Sequence, residues 1–418
     1  MKISKVARGS FVVLVGSLGG AFLNYLFHLV MGRVLAPSEY GVLVSLFSLL
    51  YLFGVPGGVL GTTATKFASK YKAQGDFKAV TAALVWTSKV ITVLGFVLFG
   101  LAFVFRNQLA GFLKITDPLL PVLFFGFITL SLLTSPLLGF LQGLLRFKAF
   151  SFMSFLGALL KFLLGVGLAA LGFGIWGVTW GLIISSGLVI VISLLLLKKN
   201  LRFPFTGSSF IKSDLLKYAL PTTATLLALT SFYNVDVILV KHFFSPEEAG
   251  IYSSVVTIGR IIFFGLSSVV LVAFPMAAEK RERGENPFVV LHKSLLLVIP
   301  GAAVGVLAYF LLPRLLVALL FGSQYLAAVP YLGIFAVFMG LYTVVDLVSR
   351  FFLSIGEFRP AIFLMLFSVL QIILLWIFHD TLTQVICVNI AVTVGLLVAL
   401  GVDHAFGNYS RLQRREKN

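Results

Sequence analysis

Leu35-Ala36-Pro37-Ser38-Glu39-Tyr40-Gly41 begins a pattern that recurs half a chain later. The second copy is Phe244-Ser245-Pro246-Glu247-Glu248-Ala249-Gly250, and its proline lies 209 positions after the first one in a chain of 418 residues. Three further pairs keep a similar spacing: Pro121 with Pro330, Phe112 with Phe321, and Phe147-Lys148 with Phe358-Arg359. A repeat of half the chain predicts a duplicated architecture.

Each copy of the motif predicts the start of a helix. In the second copy Ser245 is a candidate N-cap and Glu248 stands three residues later, which is the spacing of a capping box. In the first copy Ala36 is a poor cap, but Glu39 keeps the place of the acid near the positive end of the helix. We therefore interpret both acids as helix-capping residues rather than as substrate contacts.

The composition indicates an integral membrane protein. The mean hydropathy is +1.07, and only 11% of the residues are charged, whereas soluble domains contain about 25%. Long unbroken apolar runs favour membrane-spanning helices over a barrel. The first run follows Lys2, Lys5 and Arg8 and is longer than a signal-peptide core, which indicates an uncleaved first span. The single cysteine, Cys387, excludes a disulfide within the chain.

The apolar runs predict an all-α fold of about twelve transmembrane helices, each long enough to cross a bilayer. The predicted spans are 10–32, 41–62, 80–104, 118–140, 151–172, 174–197, 215–237, 250–274, 292–312, 328–350, 359–379 and 382–404. The connections are short, so no soluble domain is inserted between them.

Lysine and arginine predict the orientation. With the N-terminus in the cytoplasm, the cytoplasmic segments hold 23 of these residues and the external segments hold 5. This is the asymmetry of the positive-inside rule, and it places both termini in the cytoplasm. The net charge of +17 therefore reflects membrane topology, and we expect no nucleic-acid partner.

The repeat and the topology together predict two parallel lobes. Six spans in each half bring both halves into the membrane from the same side, as in transporters built from parallel repeats around a central cleft. We expect an N-terminal lobe at 1–200, a cytoplasmic linker at 201–214, a C-terminal lobe at 215–405 and a cytoplasmic tail at 406–418. This architecture is typical of a transporter rather than a channel or an enzyme.

Charged residues inside spans are costly and are functional candidates by default. Lys161 and Arg260 lie too deep to reach the headgroups, and Lys89 lies slightly less deep. Asp346 and Arg350 stand four residues apart, which favours an ion pair within one helix over ligand binding.

Polar stripes identify further candidates. Span one carries Asn24, span seven carries Asp236 near its end, and span eight carries Arg260 in line with Ser253, Thr257 and Ser267. The alternative is that the small hydroxyls only satisfy contacts between helices. The deep charges are cations, which suits an anionic substrate such as a phosphate or pyrophosphate. Pro56 and Pro300 predict bends in spans two and nine.

Other chemistries lack their motifs. The sequence contains no nucleotide-binding glycine loop, and its five histidines do not cluster with metal-ligand spacing. We therefore expect no cofactor. No predicted external loop is large enough for a glycosyl-transfer site.

The chain resembles the oligosaccharide (polysaccharide repeat-unit) flippases of the multidrug/oligosaccharidyl-lipid/polysaccharide exporter superfamily. The likeness covers essentially the whole chain, and each motif is degenerate by itself. Its motifs are Gly32-Arg33-Val34-Leu35-Ala36-Pro37-Ser38-Glu39-Tyr40-Gly41, Lys66-Phe67-Ala68-Ser69-Lys70, Asn234-Val235-Asp236, Ser245-Pro246-Glu247-Glu248-Ala249-Gly250-Ile251-Tyr252 and Phe321-Gly322-Ser323-Gln324-Tyr325.

The resemblance implies a flippase that carries polyprenyl-pyrophosphate-linked oligosaccharide across the cytoplasmic membrane of a prokaryote by alternating access. It makes Arg33, Lys66 and Arg260 candidates for the diphosphate, and the depth of Lys161 and Lys89 adds these two. It also implies coupling to an H⁺ or Na⁺ gradient and partners among membrane lipids, the polysaccharide polymerase and the glycosyltransferases of the same pathway.

Three alternatives fit less well. Peptidoglycan-precursor flippases usually have fourteen spans, two more than predicted here. A cation-coupled multidrug exporter of the same superfamily would carry an acid in span one. A membrane-embedded glycan polymerase or ligase would need a large external loop with paired charged residues.

Overall fold

The described part of the chain is helical. The structure, a computed structural model, describes residues 3–198, 212–357 and 359–416, with side chains for residues 16–198, 222–357 and 359–403. Within these ranges the α-helices are α1 (Ile3–Val34), α2 (Pro37–Ala73), α3 (Phe77–Val104), α4 (Arg106–Phe112), α5 (Leu119–Gly143), α6 (Phe147–Leu168), α7 (Gly174–Leu197), α8 (Lys212–Phe232), α9 (Val235–Phe243), α10 (Pro246–Glu282), α11 (Phe288–Leu311), α12 (Pro313–Leu320), α13 (Val329–Ser354), α14 (Arg359–Ile377) and α15 (Leu382–Glu416). The predicted all-α membrane fold is confirmed.

The helices agree with the predicted spans. Among the described residues, nine helical segments are long and apolar enough to cross a membrane, or ten if α8 and α9 count as one bent span. The segment Phe147–Leu197 counts once in that number, although it contains both α6 and α7. Eleven of the twelve predicted spans, all but the seventh, each lie mainly on one helix, although the helices at 10–32, 41–62, 250–274 and 382–404 extend 7 to 12 residues beyond the predicted span at one end. The side of the membrane that holds the termini stays a prediction.

The seventh span was predicted over 215–237, and the structure breaks it into two helices. α8 ends at Phe232, α9 begins at Val235, and the two helices are bent by 45°. Neither glycine nor proline stands at the break, so the sequence contains no local signal for it. Contacts from other helices hold the break, as the candidate site shows.

The chain forms two compact units, Met1–Thr223 and Ala224–Asn418, which divide within α8. Residues 199–211, most of the predicted linker, lie outside the described residues. The predicted tail is largely a continuation of α15, which extends to Glu416.

The packing of the N-terminal unit is built on α5, which contacts α2, α3 and α7, while α1 packs along α6. The α2–α5 contact is close because glycines face it. A Cβ atom on Gly139 would lie 2.2 Å from the carbonyl oxygen of Gly61. Thr65 uses this closeness to donate a 3.0 Å hydrogen bond to the Gly139 carbonyl oxygen.

A tight reversal joins α6 and α7. One π-helical turn, Ala169–Phe173, leads into α7, and Gly172 and Gly174 have φ angles of 95° and 51°. Glycine adopts such angles without steric cost. Glu39 packs against this reversal, since a Cβ atom on Gly174 would lie 3.0 Å from Glu39 Oε1. Glu39 therefore meets the start of α7 as well as the first turn of α2.

The C-terminal unit repeats this packing. α13 contacts α10, α11 and α15, and α9 contacts α14. These pairs are the repeat equivalents of α5 with α2, α3 and α7, and of α1 with α6. The duplication seen in the sequence therefore extends to the helix contacts within each unit.

Both motif copies begin a helix. The Ser245 side chain accepts from the Glu248 amide, and Glu248 Oε2 accepts from the Ser245 amide at 3.0 Å, so the predicted capping box is present. Ala36 makes no side-chain cap bond, although its backbone angles are nearly those of Ser245. Pro56 and Pro300 both lie inside helices, α2 and α11, that continue through them.

Candidate functional site

Lys161 forms the centre of a polar cluster in the N-terminal unit. It lies on α6, well inside the membrane-spanning run, and its Nζ donates a 3.0 Å hydrogen bond to Asn24 Oδ1 on α1. The same Nζ lies 4.5 Å from the ring centroids of both Phe27 and Phe47. Aromatic faces attract cations at this distance. The predicted candidates Lys161 and Asn24 are therefore brought together, and the two rings were not predicted.

Asn24 is oriented by its own helix. Its Nδ2 donates to the carbonyl oxygen of Gly20 at 2.9 Å, so Oδ1 faces Lys161. The contacts of Lys161 are neutral groups, an amide and two rings. An anion that approached Nζ would therefore meet no competing carboxylate among these partners.

The other cationic candidates of this unit lie apart from one another. Arg33 is in the last turn of α1, whereas Lys66 is 29 residues beyond Pro37 along α2. At 1.5 Å per residue this places them about 40 Å apart. Lys89 lies mid-way along α3 and is exposed. One diphosphate group cannot contact Arg33 and Lys66 at once, so these residues do not form a single site.

Arg260 lies within the C-terminal unit and is only 6% exposed. Its Nη2 donates to the Tyr233 carbonyl oxygen at 2.6 Å and to Asn234 Oδ1 at 3.0 Å. Its guanidinium carbon lies 5.0 Å from the centroid of the Tyr233 ring. Arg260 therefore stabilises the break between α8 and α9, a role that the sequence did not indicate.

The polar residues predicted in line with Arg260 on span eight make hydrogen bonds within their own helix. Ser253 donates to the carbonyl oxygen of Ala249, and Thr257 donates to that of Ser253. Both side chains are buried. These two hydroxyls thus donate to carbonyl oxygens of their own helix, whereas the predicted alternative was contacts between helices.

Asp236 is fully buried in the first turn of α9 and has three hydrogen-bond donors around it. The Tyr252 hydroxyl donates to Oδ2 at 2.6 Å, Asn389 Nδ2 donates to the same oxygen at 3.2 Å, and the Val237 amide donates to Oδ1 at 2.9 Å. A carboxylate at a helix N-terminus is also favoured by the helix dipole.

Side chains from two helices, α13 and α14, cap the end of α8. Gln371 donates to the carbonyl oxygen of Phe232 at 2.9 Å and to Asn389 Oδ1 at 2.8 Å. Tyr342 and Ser368 donate to the carbonyl oxygens of Leu229 and Ala228. A helix end inside a membrane needs such partners because no water is there to supply them. A count of amide side chains in apolar spans could have identified Gln371 and Asn389 from the sequence.

Two further charged features lie in the C-terminal unit. Asp346 and Arg350 form the expected ion pair, with Arg350 Nε 2.8 Å from Asp346 Oδ1. Lys241 is one of the five lysine and arginine residues that were assigned to external segments, but its side chain is only 1% exposed. Among the described residues, no three His, Cys, Asp or Glu side chains are grouped so that they could hold a metal ion.

Comparison with known proteins finds a family and a distant relative. The family model described as "Polysaccharide biosynthesis protein" matches residues 30–330. The succinoglycan biosynthesis transport protein ExoT of Rhizobium meliloti (strain 1021) is 22% identical over 342 residues. That match covers 78% of this chain but only 65% of the relative, so the chain spans less than two thirds of the relative's length.

Solved structures share the fold at low sequence identity. An inward-facing multidrug resistance MATE family transporter matches with a TM-score of 0.70 and 16% identity, over 94% of this chain and 96% of that one. The lipid II flippase MurJ matches with a TM-score of 0.68 and 16% identity, over 93% and 86%. A MOP superfamily transporter from Pyrococcus furiosus also matches, and its binding pocket is described as having reverse polarity. The TM-score is 0.65 at 17% identity, over 97% of this chain and 95% of that one.

The apolar helices make the chain a multi-pass membrane protein, and its fold is the one that the MATE family transporter and MurJ share. The chain belongs to the polysaccharide biosynthesis protein family. The resemblance to repeat-unit flippases is confirmed at the level of the family.

Proposed function

We propose that this protein is a flippase for polyprenyl-pyrophosphate-linked oligosaccharide in the cytoplasmic membrane of a prokaryote. It moves the lipid-linked sugar from the inner to the outer leaflet by alternating access. The family match and the name of the relative ExoT support a substrate from polysaccharide biosynthesis. A diphosphate between lipid and sugar is the part of such a substrate that is hardest to move through a bilayer, because its charge must leave water.

The observation that carries the proposal is the position of Lys161. Its amine lies deep in the N-terminal unit between two aromatic rings and an amide oxygen. A cation at that depth in the membrane is energetically costly, so its presence there indicates a functional role. We assign it to the diphosphate, with Asn24 as the group that positions the amine.

The remaining cations act at other places or stages. Arg260 can reach a diphosphate only if its bonds at the break in span seven yield, since it is almost fully buried. Arg33 and Lys66, which lie about 40 Å apart, would meet the diphosphate at different stages of the crossing. Lys89 is exposed on α3 and lies between these two levels.

We further propose that transport is coupled to an H⁺ or Na⁺ gradient through Asp236. The carboxylate is buried among Tyr252, Asn389 and the Val237 amide. Loss or gain of a proton or a cation there would change the bonds that hold the start of α9. The Asp346–Arg350 pair is closed on itself and fits a structural role better.

The first test is translocation in proteoliposomes. A fluorescent polyprenyl-pyrophosphate oligosaccharide is incorporated, and the fraction reaching the outer leaflet is followed with wild type and with Lys161→Gln. We expect the variant to be slower by about tenfold or more, because one charge contact to a phosphate is worth at least about 1.5 kcal/mol. The matched control is Lys293→Gln, an exposed lysine near the start of α11.

Equal transport by wild type and Lys161→Gln would remove Lys161 from the diphosphate site. Failure of wild type to move several lipid-linked sugars under H⁺ and Na⁺ gradients, combined with export of cationic dyes, would replace the flippase by a drug exporter.

The coupling proposal has its own test, transport by Asp236→Asn with and without an imposed gradient. We expect the variant to bind the lipid-linked sugar but to show the same rate under both conditions. A variant that still accelerates under the gradient would exclude Asp236 as the coupling residue.

We also propose the pathway's polysaccharide polymerase and glycosyltransferases as partners, which co-purification from native membranes would test.

A further inference from the structure

Two connecting segments of the N-terminal unit carry a strong positive charge. Lys72 Nζ donates to the Leu144 carbonyl oxygen at 2.6 Å, so the α2–α3 and α5–α6 connections lie side by side. Segments 66–78 and 144–148 hold six basic residues and one acidic residue. We call the six the basic rim: Lys66, Lys70, Lys72, Lys78, Arg146 and Lys148.

The equivalent segments of the C-terminal unit, 275–287 and 355–359, are neutral, with four basic and four acidic residues. Ion pairs neutralise them locally. Arg281 contacts Glu357 at 3.6 Å and Arg283 contacts Glu279 at 2.6 Å, while Lys280 pairs with Glu285. The two units therefore share a fold at this end but not a charge, so the positive rim is not required by the fold.

An exposed leucine lies within the basic rim. Leu145 is 47% exposed and has a φ angle of 56°, which disfavours any side chain. Its repeat equivalent is Gly356, with a φ angle of 70°, where no such strain arises. An apolar side chain kept in a strained, exposed position suggests that something apolar covers it.

We propose that the basic rim and Leu145 form a binding surface for anionic phospholipids. The rim stands where the apolar helices α2 and α5 end, which is the level of the headgroups. Lys66, Lys70, Lys78 and Lys148 are exposed there. Lysines on flexible stems suit mobile phosphate headgroups, and Leu145 enters the acyl region beside them.

Lys66 is the one rim residue that the proposed function also places on the path of the substrate. For the other five, the geometry favours phospholipid over the diphosphate of the transported substrate. The rim is spread over two connections, whereas a single diphosphate needs convergent donors. Lys70 is exposed, and its Nζ lies 5.8 Å and 5.6 Å from the rings of Phe67 and Tyr71, so the side chain runs over apolar surface as far as the level of a headgroup. The inference does not depend on which sugar is carried.

The test titrates phosphatidylglycerol onto the purified, delipidated protein and counts the lipids retained by native mass spectrometry. The rim variant is Lys70→Gln/Lys78→Gln/Lys148→Gln, and the matched control, Lys280→Gln/Arg283→Gln/Arg359→Gln, removes as many charges from the C-terminal unit. We expect the rim variant to bind phosphatidylglycerol about tenfold or more weakly, because each lysine near a charged surface contributes about fivefold. The control should stay within about twofold of wild type.

Leu145→Gly should also weaken retention while leaving the thermal stability equal or higher. Phosphatidylcholine retention should be the same for all variants, and added salt should abolish the difference. Equal phosphatidylglycerol retention by wild type and the rim variant would overturn the proposal, as would an equal loss in the control. Displacement of the bound lipid by millimolar pyrophosphate in wild type alone would assign the rim to the substrate, and loss only of a co-purifying soluble protein would assign it to a protein partner.

Discussion

The Tyr252 hydroxyl and Asp236 Oδ2 are 2.6 Å apart, so α10 donates directly to a carboxylate buried at the start of α9. Tyr252→Phe removes this donor and leaves the carboxylate with fewer partners. We expect the free energy of unfolding to fall by about 1 to 3 kcal/mol, which is usual when a buried charged acceptor loses a bond. The measurement is the melting temperature in detergent. Tyr331→Phe, at a partly buried tyrosine of α13, is the control and should change little.

The close approach of α2 and α5 makes a second prediction. Gly139→Ala would place a methyl group 2.2 Å from a backbone carbonyl oxygen, so the two helices must separate. We expect the free energy of unfolding to fall by about 3 kcal/mol, which is the upper end for overpacked sites, or the variant to fail to accumulate in membranes. Gly126→Ala on the same helix meets its nearest atom at 3.6 Å and should be tolerated. Equal stability of the two variants would show that the contact is looser than described.

The unequal caps of the repeated motif can be exchanged. Ala36 has backbone angles of −61° and 151°, close to the −66° and 157° of Ser245. Ala36→Ser should therefore gain about 0.5 to 1 kcal/mol by capping α2, and Ser245→Ala should lose a similar amount. Thermal unfolding of both variants gives the answer. A neutral Ala36→Ser would mean that Glu39, drawn towards Gly174, does not complete the capping box.

The left-handed position at Gly356 provides another prediction. Gly356→Ala keeps the local space open but forces a side chain into a φ angle of 70°. We expect the free energy of unfolding to fall by about 1 to 2 kcal/mol. Gly58→Ala is the matched control because Gly58 lies inside α2 with no neighbour within 4 Å, so it should gain about 0.5 to 1 kcal/mol from helix propensity. Opposite shifts in melting temperature are expected for the two alanines.

The repeat places polar residues of the two units at equivalent positions. At a spacing of 210, Asn24 corresponds to Asn234, and Lys161 corresponds to Gln371. In the N-terminal unit this pair forms a direct hydrogen bond beside an unbroken α1. In the C-terminal unit Gln371 caps the end of α8, and Asn234 accepts from Arg260. The same two places thus hold a cationic cluster in one unit and a helix break in the other.

The amino-acid sequence by itself determined the membrane class, the helical fold, the duplication and nearly all of the spans. These properties depend on hydrophobicity summed over about 20 residues and on short motifs, both of which are local along the chain. The Asp346–Arg350 pair and the Ser245 capping box are local in the same sense, since their partners lie three or four residues apart.

Only the tertiary structure decided the break in span seven, the burial of Arg260 and the donors around Asp236. Each depends on partners far away in the chain: Asn389 is 153 residues from Asp236, and Gln371 is 139 residues from Phe232. Contacts at such separations are set by which helix faces meet. The periodicity of one helix cannot specify its neighbour, so the side chains that hold the break became visible only when the helices were packed.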